Sequence, residues 1–231
     1  MKTLGIIGGI GPESTIVYYR SIIGAYRELR RDGSYPSILI NSTDLTKMLG
    51  LIGANQFTEV AEYLADEVKK LAQAGADFGL LAANTPHIVF DEIKRQSPIP
   101  LISIVEATCQ EAVQLGLKKV GLFGIRFTMQ GQFYPDVFSK AGIELTVPLP
   151  EDQDYIHDKY LNELVPGKLH TETREHLLEI VDRMIREDGI EGLILGGTEL
   201  PLILSDSHYH GTPFLDTTQI HVKHAVAELL A

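Results

Sequence analysis

Two short stretches carry the residue types and spacing for chemistry. Leu80-Leu81-Ala82-Ala83-Asn84-Thr85-Pro86-His87 is an apolar run ending in a polar turn, and Leu193-Ile194-Leu195-Gly196-Gly197-Thr198-Glu199 repeats that design. The apolar run reads as a buried strand, and Pro86 suits the first position of a helix, where no backbone donor is needed. Thr85 is then expected as the N-cap, with Thr198 at the matching place in the second copy. Such junctions point backbone N–H groups beyond the strand end, where an anionic group is favoured. A carboxylate, phosphate or sulfate is the ligand chemistry that this arrangement suits.

Other side chains could add proton transfer or charge. His87 changes charge near neutral pH, and it reads equally well as an orienting or solvent-facing residue. Glu199 is placed for a helix first turn, where the dipole favours an acid. Arg126 could bind a carboxylate or hold an interface together. The lone Cys109 follows Glu106-Ala107-Thr108 and reads as a small buried hydrophobe. A threonine hydroxyl is too weak an acid at neutral pH to serve unassisted as a carbon base, so Thr85 and Thr198 read as caps that also touch ligand.

The elements that must position these residues form an alternating series. Thr3 to Ile7 is a strand, followed by the turn Gly8-Gly9-Ile10-Gly11-Pro12-Glu13-Ser14-Thr15 and a helix with an apolar stripe of Ile16, Tyr19, Ile23 and Tyr26. Ser14 stands where a dinucleotide fingerprint needs glycine or alanine, and no second strand ending in an acid follows at the expected distance. The turn therefore reads as a tight strand-to-helix connection or a cradle for a small carboxylate. Ser37 to Asn41 is a strand. Phe57 to Ala74 is an amphipathic helix with Val60, Leu64, Val68 and Leu71 on one face, closed by Gly75. Ile99 to Val105 is a further strand. Strands alternating with helices predict parallel sheets covered by helices.

The pattern then restarts. Gly79 and Gly192 lie 113 positions apart, as do Pro100 and Pro213, while Gly5 and Gly121 lie 116 apart. That offset predicts a duplicated α/β unit, since solenoid periods are far shorter. The expected fold is α/β, with two pseudo-symmetric domains, each a parallel sheet flanked by helices. Residues 1–112 form the first domain, joined by the C-terminal helix 217–231, and residues 113–216 form the second. Ligands of open parallel sheets bind beyond the carboxyl ends of the strands, so the site is expected at the domain interface.

Bulk properties narrow the function classes. The chain has 231 residues, enough for two small domains, and its 44% hydrophobic and 22% charged content is ordinary for a soluble globular protein. A net charge of −11 argues against a broad nucleic-acid footprint, yet a few local cations and backbone donors can still dominate a small cleft. One cysteine excludes an intrachain disulfide and a cysteine metal cluster. No apolar run reaches the length of a membrane span, and Met1-Lys2-Thr3-Leu4 leads straight into a strand without a signal-peptide layout. A cytoplasmic setting is expected.

Five motifs in order resemble the aspartate/glutamate racemase family: Gly8 to Thr15, Asn84-Thr85-Pro86-His87, Gly124-Ile125-Arg126-Phe127-Thr128-Met129, Gly196-Gly197-Thr198-Glu199 and Phe214-Leu215-Asp216-Thr217. The resemblance implies an amino-acid racemase independent of pyridoxal phosphate and of metals, acting on a small amino acid or dicarboxylate. It implies substrate contacts at Ile10, Asn84, Thr85, Thr128 and Thr198, with Lys47 and Lys168 as looser matches. No nucleic acid or membrane partner is expected, and a homodimer is left open.

Inversion without a cofactor needs two bases on opposite faces of one carbon. In the family two cysteines usually serve, one before the Asn-Thr pair and one before the Thr-Glu pair. Here Ala83 and Gly197 occupy those places, and neither can carry a proton. The residues left as stand-in catalytic groups are His87, Thr198 and Glu199. Family membership thus coexists with two rival outcomes. One is a small-carboxylate binding or sensing protein without chemistry. The other is a lyase or decarboxylase using a single different base.

Overall fold

A computed structural model describes residues 2–231. The chain divides into two compact units, residues 1–104 with 218–231, and residues 105–217. The elements of the first unit are β1 (Thr3–Gly8), α1 (Pro12–Arg30), β2 (Ser37–Ser42), α2 (Leu45–Gly53), α3 (Phe57–Gln73), β3 (Phe78–Leu81), α4 (Phe90–Gln96) and β4 (Leu101–Ile102). Then follow α5 (Ile104–Gln114), β5 (Lys119–Gly124), α6 (Arg126–Gln130), α7 (Phe133–Lys140), β6 (Glu144–Thr146), α8 (Pro150–Lys159), α9 (Thr171–Arg183), β7 (Gly192–Gly196), α10 (Leu200–Ile203), β8 (His208–Tyr209), β9 (Thr212–Asp216) and α11 (Thr217–Leu230). A 3-10 turn at Thr85–Val89 and π turns at Tyr160–Leu164 and Met184–Asp188 complete the order.

The first sheet has the order β2-β1-β3-β4 and is parallel throughout. The second has the order β6-β5-β7-β9-β8, parallel except for the edge strand β8. Leaving β8 aside, the two units share one strand order, as the repeated motifs predict. The central strands β3 and β7 are buried along their whole length, which is why they read as unbroken apolar runs.

Helix α3 buries Val60, Leu64, Val68 and Leu71, the face its sequence predicts, and Gly75 follows it at φ +99°. Helix α11 packs Val222, Ala225, Val226 and Leu229 into a cluster with Leu4, Ile6, Tyr18, Ile22 and Tyr26, which makes the C-terminal helix part of the first unit. The second unit has its own core, centred on Phe123, Leu193, Leu195, Ile156 and Val181.

Three expectations change. The stripe of α1 is rotated: Tyr18, Ile22 and Tyr26 are buried, whereas Ile16 is 44% and Tyr19 47% exposed. Helix α1 carries apolar residues on two adjacent rows, so spacing alone leaves two phases open. The strand expected over Ile99 to Val105 is only Leu101–Ile102, because the backbone turns into α5 at Ile104. The unit boundary also falls at the start of α5 and not near residue 112. The Cys109 thiol reaches the Val137 carbonyl at 4.0 Å, which ties α5 to α7 of the second unit.

Candidate functional site

In the first unit the register Ile7↔Leu81 brings the ends of β1 and β3 side by side. The turns Gly8–Gly11 and Ala82–Thr85 therefore share one sheet edge, joined by a 2.9 Å bond from the Ala82 N–H to the Ile7 carbonyl. Gly9 and Gly11 take φ of +77° and +88°, and a side chain on Gly9 would run into the backbone of Thr43. The turn partly closes on itself. The Gly9 N–H donates to Thr15 Oγ1 at 2.9 Å, and the Thr43 N–H and hydroxyl both donate to the Gly8 carbonyl at 2.9 Å. Ile10 is buried in the apolar cluster beneath.

The cap positions shift by one residue. Asn84, not Thr85, precedes the 3-10 turn, and Pro86 is its second residue. Glu199, not Thr198, precedes the four-residue α10. Neither junction shows a side-chain cap bond, so Thr85 and Thr198 are not caps. Thr85 is half-buried at the strand end, beside the buried Asn84.

His87 is fully committed to the backbone. Its Nε2 accepts from the Ile104 N–H at 3.2 Å, so the proton sits on Nδ1, which donates to the Ala83 carbonyl at 3.1 Å. The ring stacks on Phe90 at 4.7 Å, and burial, with His221 nearby, pushes its pKa down to about 3. His87 therefore stays neutral and ties the end of β3 to the start of α5. The expectation of a catalytic histidine gives way to a structural one. His221 behaves alike: Nδ1 accepts from the Tyr18 hydroxyl at 2.8 Å, Nε2 donates to the Ile102 carbonyl at 3.0 Å, and burial lowers its pKa to about 4.

Ala83 packs its methyl against the apolar cluster of the first unit. Lys47 is exposed, with its ammonium 4.0 Å from the Tyr63 ring centroid.

In the second unit the register Gly124↔Gly196 aligns the ends of β5 and β7. Thr128 is fully buried across those ends. A Cβ built on Gly124 would lie 2.9 Å from Thr128 Cγ2, and one on Gly196 3.1 Å from the same atom, so both glycines make room for it. The Thr128 hydroxyl has no hydrogen-bond partner among the described residues. The sequence therefore brings Thr128, Gly197, Thr198 and Glu199 to one sheet edge. Lys168 is exposed beyond the π turn, its N–H donating to the Glu163 carbonyl at 2.8 Å.

Tyr160 is the residue that sequence reasoning overlooks. It opens the π turn, where the Val165 N–H reaches back five residues to the Tyr160 carbonyl at 2.9 Å. Its ring lies in the space a side chain at position 197 would need. A Cβ built on Gly197 would sit 2.5 Å from Tyr160 Cε2 and 2.8 Å from Cζ, with the hydroxyl closer still. Gly197 is not among the positive-φ residues, so space and not backbone conformation requires glycine there. The Tyr160 hydroxyl donates to Glu199 Oε2, and the Thr198 hydroxyl donates to the same oxygen at 2.7 Å. Burial, followed by the Glu199 charge and its hydrogen bond, holds the Tyr160 pKa well above the usual phenol value.

The remaining candidates have other partners. Arg126 is exposed and pairs with Asp154 at 2.7 Å. Cys109 is buried, and burial pushes its thiol pKa up, as expected of an inert cysteine. Among the described residues no group of three or more His, Cys, Asp or Glu is arranged to hold a metal, and no helix is long and apolar enough to cross a membrane.

Residues 7–225 match the family described as Asp/Glu/Hydantoin racemase. The chain belongs to that family. It is 25% identical to the broad specificity amino-acid racemase RacX of Bacillus subtilis over 99% of this chain and 98% of that protein. Among solved structures, an aspartate racemase homologue from Pyrococcus horikoshii superposes with a TM-score of 0.87 at 32% identity, covering all of both chains. A protein from Yersinia pestis solved as a candidate Asp/Glu racemase gives 0.91 at 31% identity, again over all of both chains. The aspartate racemase of Picrophilus torridus shares the fold, with a TM-score of 0.79 at 20% identity, covering 99% of this chain and 94% of that one.

Proposed function

We propose that this isomerase-family protein binds a small amino acid or dicarboxylate at its strand-end turns, without pyridoxal phosphate or a metal, and inverts it slowly or not at all. The reading includes a cytoplasmic setting. Asn84 and Thr85 are the polar candidates for ligand contact in the first unit, and Thr128 and Thr198 those in the second. Lys47 and Lys168 are not required by it, since both are exposed.

One observation carries the reading. Neither thiol position can move a proton: residue 83 is a half-buried methyl against an apolar cluster, and residue 197 is a glycine whose side-chain space a tyrosine fills. Two-base inversion needs a proton carrier on each face of the carbon, and each positioned base contributes about 10²–10⁴-fold in rate. The packing of the half-buried Ala83 methyl against the apolar cluster also favours the second reading, a carboxylate-binding protein without chemistry.

The test combines thermal shift with chiral chromatography on a panel of free amino acids and dicarboxylates. A ligand held in the site raises the melting temperature by mass action. The expected result is a concentration-dependent shift with at least one of them and little inversion. No shift with any amino acid or dicarboxylate would overturn the proposal, and rapid inversion would overturn its second half.

A further inference from the structure

We infer that the Tyr160 hydroxyl and the Glu199 carboxylate together form the proton-carrying group of the second unit, in the place that a thiol at position 197 would take. The inference rests on the amino-acid-binding reading above and names the residues that would act on that ligand.

Four observations carry it. The Tyr160 hydroxyl occupies the point from which a side chain at 197 would extend, so the tyrosine replaces that side chain in space. Oxygen Oε2 of Glu199 accepts from both the Tyr160 and the Thr198 hydroxyls, which fixes the carboxylate and aims it at the phenol. Glu199 stands between β7 and α10 and is half-buried, whereas Tyr160 is buried. A π turn places the tyrosine, and such turns concentrate at functional sites.

The pair works as a relay. Because the Tyr160 pKa is held high, the phenol keeps its proton at neutral pH and does not act as a free phenolate. As a substrate Cα–H bond breaks, its proton passes to Tyr160 Oη, and the phenol's own proton passes to Glu199 Oε2. The electron pair stays on carbon and spreads into the adjacent carboxylate. Glu199 becomes the acid, the tyrosine ends neutral, and the reverse sequence returns a proton to the same face. No oxidant, metal or cofactor is consumed. A single carrier returns the proton to the face it came from, so the proton exchanges with retention of configuration.

The experiment follows Cα deuterium incorporation in heavy water, by mass spectrometry, for every free amino acid that shifts the melting temperature. It compares the unaltered protein with Tyr160→Phe and Glu199→Gln, and measures ligand-induced thermal shift in all three. The expected result is exchange by the unaltered protein and loss of about 10²-fold or more in both variants, with the thermal shift kept. Circular dichroism checks that each variant is folded, and Glu199→Asp, which keeps a carboxylate, should recover part of the exchange. Exchange that persists in Tyr160→Phe overturns the relay and leaves the binding reading intact. Absence of exchange for every bound amino acid also overturns the relay alone. Absence of binding in the unaltered protein overturns both.

Discussion

Adding a single methyl at position 197 should destabilise the protein far more than a Gly→Ala change in a strand-end turn ordinarily does. The built Cβ lies 2.5 Å from Tyr160 Cε2 and 2.8 Å from Cζ. Carbon atoms pack best at about 3.5–4.0 Å, so the ring must retreat by about 1 Å. Overpacking of this kind costs about 1–3 kcal/mol. The retreat also breaks the hydroxyl's bond to the Glu199 carboxylate, which contributes about 1.5–3 kcal/mol as a bond to a charged group. Against this stands a gain of about 0.4–1 kcal/mol, because alanine restricts the unfolded chain. The net loss for Gly197→Ala is then about 2–5 kcal/mol. The assay is urea unfolding followed by circular dichroism, with the chain free of tryptophan. Tyr160→Leu removes the clashing ring atoms, so in that background the added methyl should cost under about 1 kcal/mol, a strong departure from additivity. An unchanged urea midpoint for Gly197→Ala, or equal losses in both backgrounds, would refute the packing argument. A thiol at 197 faces the same obstacle, so Gly197→Cys alone is expected to disrupt the turn and not to restore a racemase.

Acid should weaken the first unit through two histidines. His87 and His221 are neutral in the native state, with pKa values of about 3 and about 4, and each binds a proton near 6.5 when unfolded. Their contribution is complete above 6.5 and is lost as pH falls through the window from 6.5 toward 4 and then 3. Between pH 7.5 and 5 each removes about 2 kcal/mol, and an unchanged urea midpoint between those two pH values would contradict the burial account. Arg126→Ala should cost under about 1 kcal/mol in urea unfolding, because its pair with Asp154 is exposed; a loss several times larger would assign it a role in holding the fold. Cys109 should resist alkylation at neutral pH until urea unfolds the chain, and rapid labelling of the native protein would show the thiol accessible and reactive.

Much of this architecture is legible in the sequence, for physical reasons. Strands β3 and β7 are unbroken apolar runs because both faces are buried, and the repeated offset between them exposes the shared strand order. Helix α3 has a single strong stripe, so its phase is unambiguous. Helix α1 is not legible in that way, since Ile16 and Tyr19 compete with Tyr18 and Ile22 for the buried face. The candidate site is legible only in part. The strand-end turns follow from glycine, proline and threonine spacing, and the inert residues 83 and 197 can be read directly. The hydrogen bonds that make His87 structural cannot, because Ile104 is distant in sequence. Tyr160 is hidden for the same reason. It lies 37 positions before Gly197, and a π turn leaves no periodic signal to show which way its ring points.

The measurement that bears most directly on the central claim is the ratio of Cα exchange to inversion for one bound amino acid. Enantiopure substrate in heavy water is followed by chiral chromatography with mass detection, so that label and configuration are read on the same molecules. A proton carrier on one face only should give labelled substrate of unchanged configuration, in excess over inverted product by about tenfold or more. Inverted product appearing as fast as label would require a carrier on each face, and would contradict the account.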